Sequence, residues 1–328
     1  MLPDKDFITI SDNLYHIEKF LKELIITPKI LLSQWAVITN QTPAVKLGYI
    51  GQHLASLLTG VKGTRTGARG DDLADGSEVK SCNKIDQADK CKDCESRVMR
   101  MESVCSHCGS TNIQRKDDSK WLFSVRSEQE LERYLNMKRI VLILMDYPRF
   151  NENDFSDIRI CSFEIYPCEE RMKVFRDLIS NHYYNIYRPK ADDGKKTNPM
   201  NLHPWKIQFY KCNPIKTFEC IIKDINNSAS IEIKKYIEPF QERDAQLAVE
   251  PMPTDLLNKH EWDVLLNHCD FDQIAPLLKN PHLSRSEFLN LSLKRKKEML
   301  PFLDEELRSY IPLRDIVSVT QSTQYHRT

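Results

Sequence analysis

A chain of 328 residues, against a prior of roughly 150 per domain, has ample length for two cores. Its 47 Lys and Arg balance 47 Asp and Glu, which excludes a global field steering the molecule onto nucleic acid or membrane and leaves any basic surface local. The longest unbroken apolar run, Ile140 to Met145, falls far short of the roughly 20 residues that span a bilayer, and the first residues lack a signal-peptide profile, so a soluble, non-secreted protein is expected.

In chain order, the first forty residues read as two packing helices. Ser11 precedes Leu14, Ile17, Leu21 and Leu24 at helical spacing, and Thr27-Pro28 reads as an N-cap and first helical position. A third helix from Thr42-Pro43 carries Leu47, Ile50, Leu54, Leu57 and Leu58 on one face and stops at Gly60. Asp75-Gly76 is predicted to be the central pair of a two-residue hairpin turn, joining a strand that ends near Ala74 to one that begins near Ser77. Trp121 to Val125 reads as a third strand, Ser127 and Glu130 as a capping box opening a helix, and Arg139 to Met145 as a further strand. Beyond 150, Ile158 to Tyr166 and Trp205 to Tyr210 are predicted strands, Glu169 to Tyr187 a helix, and Lys190 to Pro204 a loop. From about Pro239 the chain reads as helical with repeated prolines. The expected division is 1–41 N-terminal helices, 42–238 an α/β domain with an insert at about 88–118, and 239–328 a mostly helical domain.

Asp71, Asp72, Glu78 and Lys80 carry the strongest catalytic signal. Glu78 and Lys80 are two apart on a strand and share a face. The two-residue turn pairs Leu73 with Glu78 and Asp71 with Lys80, which puts Asp71 on that face, whereas a bulge would turn Asp72 in; both stay candidates. Two carboxylates beside a lysine suit Mg²⁺, a hard ion that takes oxygen ligands, with the lysine stabilising charge that develops on a phosphate. A generic cluster of charges at a turn is more often solvated surface, and here the surrounding elements weigh against that.

Gly70-Asp-Asp-Leu-Ala-Asp-Gly-Ser-Glu-Val-Lys-Ser81 resembles the PD-(D/E)XK nuclease motif, with Glu78-Val-Lys80 as its second half and Asp71 or Asp72 as its first. The resemblance implies a restriction-endonuclease-like αβββαβ core over residues 43–146, with an inserted zinc ribbon and a mostly helical C-terminal region. Gly51-Gln-His-Leu-Ala-Ser56, Thr66-Gly-Ala-Arg-Gly-Asp-Asp72 and the cysteine insert are similar to MamI-type restriction endonucleases. The chain departs from the broad motif in having Gly70 where proline precedes the first aspartate, and in its short spacing between aspartate and glutamate.

Of ten cysteines, Cys91-Lys-Asp-Cys94 and Cys105-Ser-His-Cys108 form the paired CxxC pattern of a tetrahedral structural Zn²⁺ site. The other six lack disulfide-framework spacing, so a reducing cytoplasm is expected. His107 is not expected to be a ligand, and Cys82 reads as a packed thiol. The ribbon is expected to project near the catalytic residues, with Lys90, Lys92, Arg97, Arg100, Arg115 and Lys116 available to phosphates. Lys62, Arg65 and Arg69, interleaved with small residues just before the aspartates, are the candidate DNA-backbone contacts. Gln52 and His53 follow the polar side of the third helix and receive no role.

Together these features lead to a Mg²⁺-dependent, zinc-containing type II restriction endonuclease acting on double-stranded DNA. A C₂ homodimer is expected, because two identical sites address two antiparallel strands, with a companion DNA methyltransferase outside any stable complex. The competing classes are a non-catalytic zinc-ribbon DNA-binding or interaction protein and a structure-specific repair nuclease.

Overall fold

Ile17, Leu21, Ile25 and Ile26 recur at helical spacing and are all buried, which is why the chain begins as a helix packed along one side. The computed structural model describes residues 7–8, 13–65, 71–239 and 244–314; Ser11, Arg69 and most of the 66–72 motif lie outside the described residues. The first elements are α1 (Asn13–Leu21), α2 (Thr27–Thr39), α3 (Leu47–Thr59), β1 (Glu78–Asn83), β2 (Ala88–Cys91), β3 (Arg97–Met99), β4 (Ile113–Gln114) and β5 (Trp121–Phe123). Then follow α4 (Glu128–Leu135), β6 (Ile140–Asp146), β7 (Ile158–Ile165), α5 (Lys173–Asn181), α6 (Arg188–Asp192), β8 (Met200–Leu202), α7 (Ile207–Lys211), β9 (Ile215–Lys223) and β10 (Ser230–Tyr236). The last are β11 (Met252–Pro253), α8 (Lys259–His268), α9 (Phe271–Ile274), α10 (Arg285–Asn290), α11 (Leu293–Met299), β12 (Phe302–Leu303) and α12 (Glu305–Ser309). No helix among the described residues is long and apolar enough to cross a membrane.

The chain forms two compact units, one from residues 1–122, 137–166 and 216–245, the other from 123–136, 167–215 and 246–328. In the first, a five-stranded mixed sheet has the order β1-β6-β7-β9-β10. β1 pairs with β6 in parallel, Glu78 opposite Ile140 and Asn83 opposite Met145, while β6 and β7 are antiparallel. Every residue of β6 is buried, as the apolar run Ile140 to Met145 requires of an interior strand, and the closing Asp146 is paired with Arg159. Val79, Val141, Ile143 and Ile160 pack in one core with Ile17 and Leu21 of α1 and Leu54, Ala55 and Leu58 of α3. Gly51 brings α3 hard against β1: a Cβ there would stand 1.8 Å from Ser81 Oγ.

In the second unit, the Phe123 ring meets Tyr134 and Phe175 edge to face at 5.8 and 5.2 Å. Capping boxes at Asn258/Glu261, Asp270/Gln273 and Ser284/Glu287 start its C-terminal helices, and Trp262, Leu265, Phe288, Leu303 and Leu307 are buried.

Several expectations change: the third helix opens at Leu47 rather than at Thr42-Pro43, and the loop predicted over 190–204 contains β8. Thr27 does not cap a new helix: a π turn, Lys22–Ile26, carries α1 into α2, absorbing the N–H that Pro28 lacks. Trp205 to Tyr210 is not a strand, because Trp205 takes a left-handed conformation (φ 61°) and α7 follows directly. Trp121 to Phe123 is extended but does not join the five-stranded sheet. The predicted strand before Ala74 is instead an irregular segment, bridged only from Leu73 to Gly63.

Candidate functional site

β1 is an edge strand, and its geometry organises the site. The Glu78 N–H donates to the Arg139 carbonyl at 3.1 Å, so the alternate residue, Val79, turns its N–H to the free edge. There it donates to Asp72 Oδ2 at 2.8 Å, while Gln52 Nε2, from α3, donates to Asp72 Oδ1 at 2.6 Å. On the strand itself, Lys80 Nζ donates to Glu78 Oε1 at 2.5 Å, the same-face pairing that period two demands. Glu78 is buried and Lys80 half-buried. Asp72, Glu78 and Lys80 are thus gathered on three successive residues of one strand.

The hairpin register predicted for Asp71 is not formed. The turn closes one residue early, with Gly76 N–H donating to the Leu73 carbonyl at 3.0 Å and both Asp72 and Leu73 N–H groups donating to the Ser77 carbonyl. Asp75 is responsible. Its carboxylate accepts the Ser77 N–H at 3.1 Å and Arg139 Nη2 at 2.8 Å, tying the turn to the start of β6. Arg139 is buried and also donates to Ser77 Oγ at 3.2 Å and Glu164 Oε2 at 3.5 Å. Thr64 Oγ1 bonds to the backbone carbonyl of Asp71, and the Asp72 carboxylate is the one docked against β1.

A cavity of about 490 Å³ opens beside Asp72, lined by Tyr49, Gln52, His53 and Ser56 of α3 and by Lys62 and Arg65 of the following loop. The loop is held by the Ala74 N–H, which donates to the Lys62 carbonyl at 2.8 Å, and Arg65 adopts φ 62°. Two predicted backbone-contacting cations therefore share a cavity with the aspartate. Gln52 is the residue that sequence reasoning left without a role; its signal, a position next to the glycine that lets α3 touch β1, needs the fold to be read.

The four cysteines of the insert converge. Cys91, Cys94, Cys105 and Cys108 offer sulfurs all within 4.8 Å of one another, with the Cys91–Cys108 and Cys94–Cys105 pairs at 3.6 Å. A tetrahedral ion with Zn–S bonds of about 2.3 Å needs sulfur pairs about 3.8 Å apart, so the donor set fits Zn²⁺. Two matching knuckles build it: Glu95 N–H donates to Cys91 O and Gly109 N–H to Cys105 O, while Cys91 and Cys105 N–H groups donate to Ser96 O and Ser110 O. The fifth residue of each knuckle is left-handed, Glu95 at φ 63° and Gly109 at φ 73°. Hydrogen bonds from the Ser96 side chain and backbone hold the Cys94 thiol down, at about 6. His107 is exposed, and Cys82 is buried and pushed up to about 12 by that burial.

Two expectations for the ribbon are corrected. Arg100 and Arg115 do not face phosphates: both pair with buried Asp89, and their guanidiniums lie 4.7 Å from the Phe150 and Phe155 ring centres. The ribbon also leaves β1 after Asn83, the end opposite Glu78, roughly 16 Å along the strand at about 3.3 Å per residue. Its root is tied there by Arg100 Nη1 to the Lys84 carbonyl and by Lys84 N–H to the Met145 carbonyl.

Residues 34–255 match the family model described as MamI restriction endonuclease, a span that holds every residue named above for the edge site and the cysteine centre. A curated relative, "Type II restriction enzyme MamI" of Microbacterium ammoniaphilum, is 37% identical over 83 residues, which are 25% of this chain and 27% of the relative. The chain thus spans about a quarter of the length of the relative that it matches. No solved structure matches.

Proposed function

The chain belongs to the MamI restriction endonuclease family, and from that we propose that it is a type II enzyme that cuts double-stranded DNA at a fixed sequence with Mg²⁺. The observation that carries this reading is the Glu78–Lys80 ion pair with the Asp72 carboxylate docked on the intervening Val79 N–H. We assign Asp72 and Glu78 as the Mg²⁺ ligands. Carboxylate oxygens are the ligands that a hard ion such as Mg²⁺ takes, with waters completing its shell. When bound by these carboxylates, Mg²⁺ would supply Lewis-acid polarisation of the phosphoryl oxygen and of the attacking water. The Lys80 ammonium orients the attacking water and stabilises charge as the phosphorus–oxygen bond breaks. Lys62 and Arg65 neutralise backbone phosphates at the cavity beside Asp72, and Arg69 extends that series in the sequence. The cysteine centre holds a structural Zn²⁺ that lets a short excursion fold around its thiols with only Val98 and Ile113 as further apolar support.

A homodimer in the cytoplasm, with a methyltransferase protecting host DNA, completes the reading. α2 supports the dimer. Its single charged residue, Lys29, is turned inward and paired with buried Asp86, while Leu31, Leu32, Trp35 and Ile38 are exposed. Within α2, Leu31, Trp35 and Ile38 follow one another at four- and three-residue steps, the seam of a helix that meets another helix. Leu31, Trp35 and Ile38 are 50%, 61% and 74% exposed, apolar surface suited to the dry centre of an interface. Without a cation the seam does not suit a phosphate backbone, and without charges to select a different partner it is complementary to itself.

The test is digestion of unmethylated phage-sized DNA with Mg²⁺. Discrete bands are expected; a smear, or no cutting by folded zinc-loaded protein, rejects the reading.

A further inference from the structure

Four arginines of this chain hold an oxyanion in the same way. Arg100, Arg159 and Arg314 each present the parallel Nε–H and Nη2–H donors to the two oxygens of one carboxylate, Asp89, Asp146 and Glu261, at 2.5 to 3.1 Å. Arg171 does the same to Glu305. Arg308 breaks the pattern. It is 1% exposed, its Nη1 donates to the Glu250 carbonyl at 2.5 Å, and its Nε and Nη2, the same fork, have no hydrogen-bond partner among the described residues. Leaving such donors buried and unanswered is costly, more so on an ion.

Arg308 lines a cavity of about 310 Å³ in the second unit. Around that cavity stand four cations, Arg171, Lys173, Lys211 and Arg308, against two carboxylates, Glu170 and Glu305. Glu305 is already engaged by Arg171, and Glu170 by Lys173. Lys211 is 8% exposed and spends its donors on the Ser309 and Ile311 carbonyls, which leave its charge uncancelled. The unbalanced charge is therefore positive and centred on Arg308 and Lys211. We infer that this cavity binds a phosphate group, gripped by the Nε/Nη2 fork of Arg308 with the Lys211 ammonium beside it. Burial lowers Lys211 to about 8, with the Arg308 charge adding to the effect, the strain that an anion relieves.

The site is separate from Asp72, Glu78 and Lys80, and stands whether or not those residues cut DNA. Two sources carry the group: a backbone phosphodiester of duplex DNA, or free phosphate. The full-length, zinc-loaded protein is titrated with inorganic phosphate against sodium chloride at matched ionic strength, following thermal unfolding and calorimetry. Phosphate is expected to raise the Tm by several degrees in the wild type. Arg308→Lys, which keeps the charge and loses the fork, is expected to weaken phosphate about tenfold or more. Lys211→Met tests the opposite wall should Arg308→Lys fold poorly. A non-cognate duplex that displaces phosphate assigns the source to the DNA backbone, and simultaneous binding assigns it to the free anion; both retain the site. Equal shifts with phosphate and chloride, or unchanged phosphate affinity in both variants, overturn it.

Discussion

Gln52 and Val79 grip the two oxygens of Asp72 from opposite sides, the amide of α3 at 2.6 Å and the backbone of β1 at 2.8 Å. The Val79 contact survives any side-chain change, whereas the Gln52 contact is one that substitution removes. A hydrogen bond to a charged group is worth about 1.5–3 kcal/mol, which places the cost of Gln52→Ala at roughly ten- to a hundredfold in cleavage. The loss is expected in kcat, with KM for the duplex unchanged, and Gln52→Asn should not restore it because the shorter amide falls short. Equal kcat in wild type and Gln52→Ala would show that Asp72 needs no help from α3.

Gly51 is what allows that contact. A methyl group on this residue would meet Ser81 Oγ at 1.8 Å, so Gly51→Ala forces α3 away from β1 and carries Gln52 with it. The expected outcome is a lower Tm together with lost cleavage, and Ser81→Ala in the same chain should recover part of both. A Gly51→Ala protein as stable and active as the wild type contradicts the close packing.

The cysteine centre predicts one Zn²⁺ per chain. Elemental analysis of reduced protein should find it, and Cys94→Ser should lose it and loosen the ribbon, read as protease sensitivity between residues 88 and 118. Because Arg100 and Arg115 are locked on Asp89 at the root, the sheet should stay folded when the metal leaves. Preparations without zinc, or with a Cys91–Cys94 disulfide, defeat the assignment.

Much of this was legible because local patterns met no tertiary competitor. The apolar run 140–145 had to be an interior strand, Glu78 and Lys80 had to share a face, and two CxxC turns had to meet. What escaped depended on partners distant in sequence. The Asp75-Gly76 turn shifted because Arg139, 64 residues on, claims the Asp75 carboxylate. Helix continuity through Pro28 rests on a π turn that periodicity does not signal, and the inward burial of Lys29 rests on Asp86. Arg100 and Arg115 read as surface cations because nothing in the sequence names Asp89 as their partner.

If α2 joins two copies, Trp35→Glu combined with Ile38→Glu should convert the protein to a monomer in sedimentation equilibrium without changing its circular dichroism. Each new carboxylate would face its own copy across a two-fold axis, a like-charge contact in a dry seam. A wild-type protein that sediments as a monomer at micromolar concentration, or a double variant that stays dimeric, rules α2 out.

Lys62→Ala and Arg65→Ala should weaken binding to every duplex alike and each reduce the salt slope by about one, since phosphate contacts carry no base information. A changed sequence preference without general weakening would move these residues from backbone contact to base reading.

The decisive series separates chemistry from binding at β1. Glu78→Ala removes a carboxylate assigned to Mg²⁺, and Lys80→Ala removes the cation that faces the breaking bond; each should lower cleavage by orders of magnitude while the duplex still binds and zinc content is unchanged. The two differ without Mg²⁺. Loss of the Glu78 charge beside a polyanion should tighten duplex binding, whereas loss of the Lys80 charge should loosen it. Asp72→Asn keeps one oxygen for the Val79 N–H, presents an NH2 that Gln52 can accept by flipping its amide, and loses the charge, so it should fold and fail to cut, while Asp71→Asn should retain most of the activity because the Asp72 carboxylate is the one docked on the strand. A folded, zinc-loaded Glu78→Ala protein that cuts at the wild-type rate removes the catalytic assignment altogether, and an inactive Asp71→Asn beside an active Asp72→Asn would transfer the first ligand to Asp71.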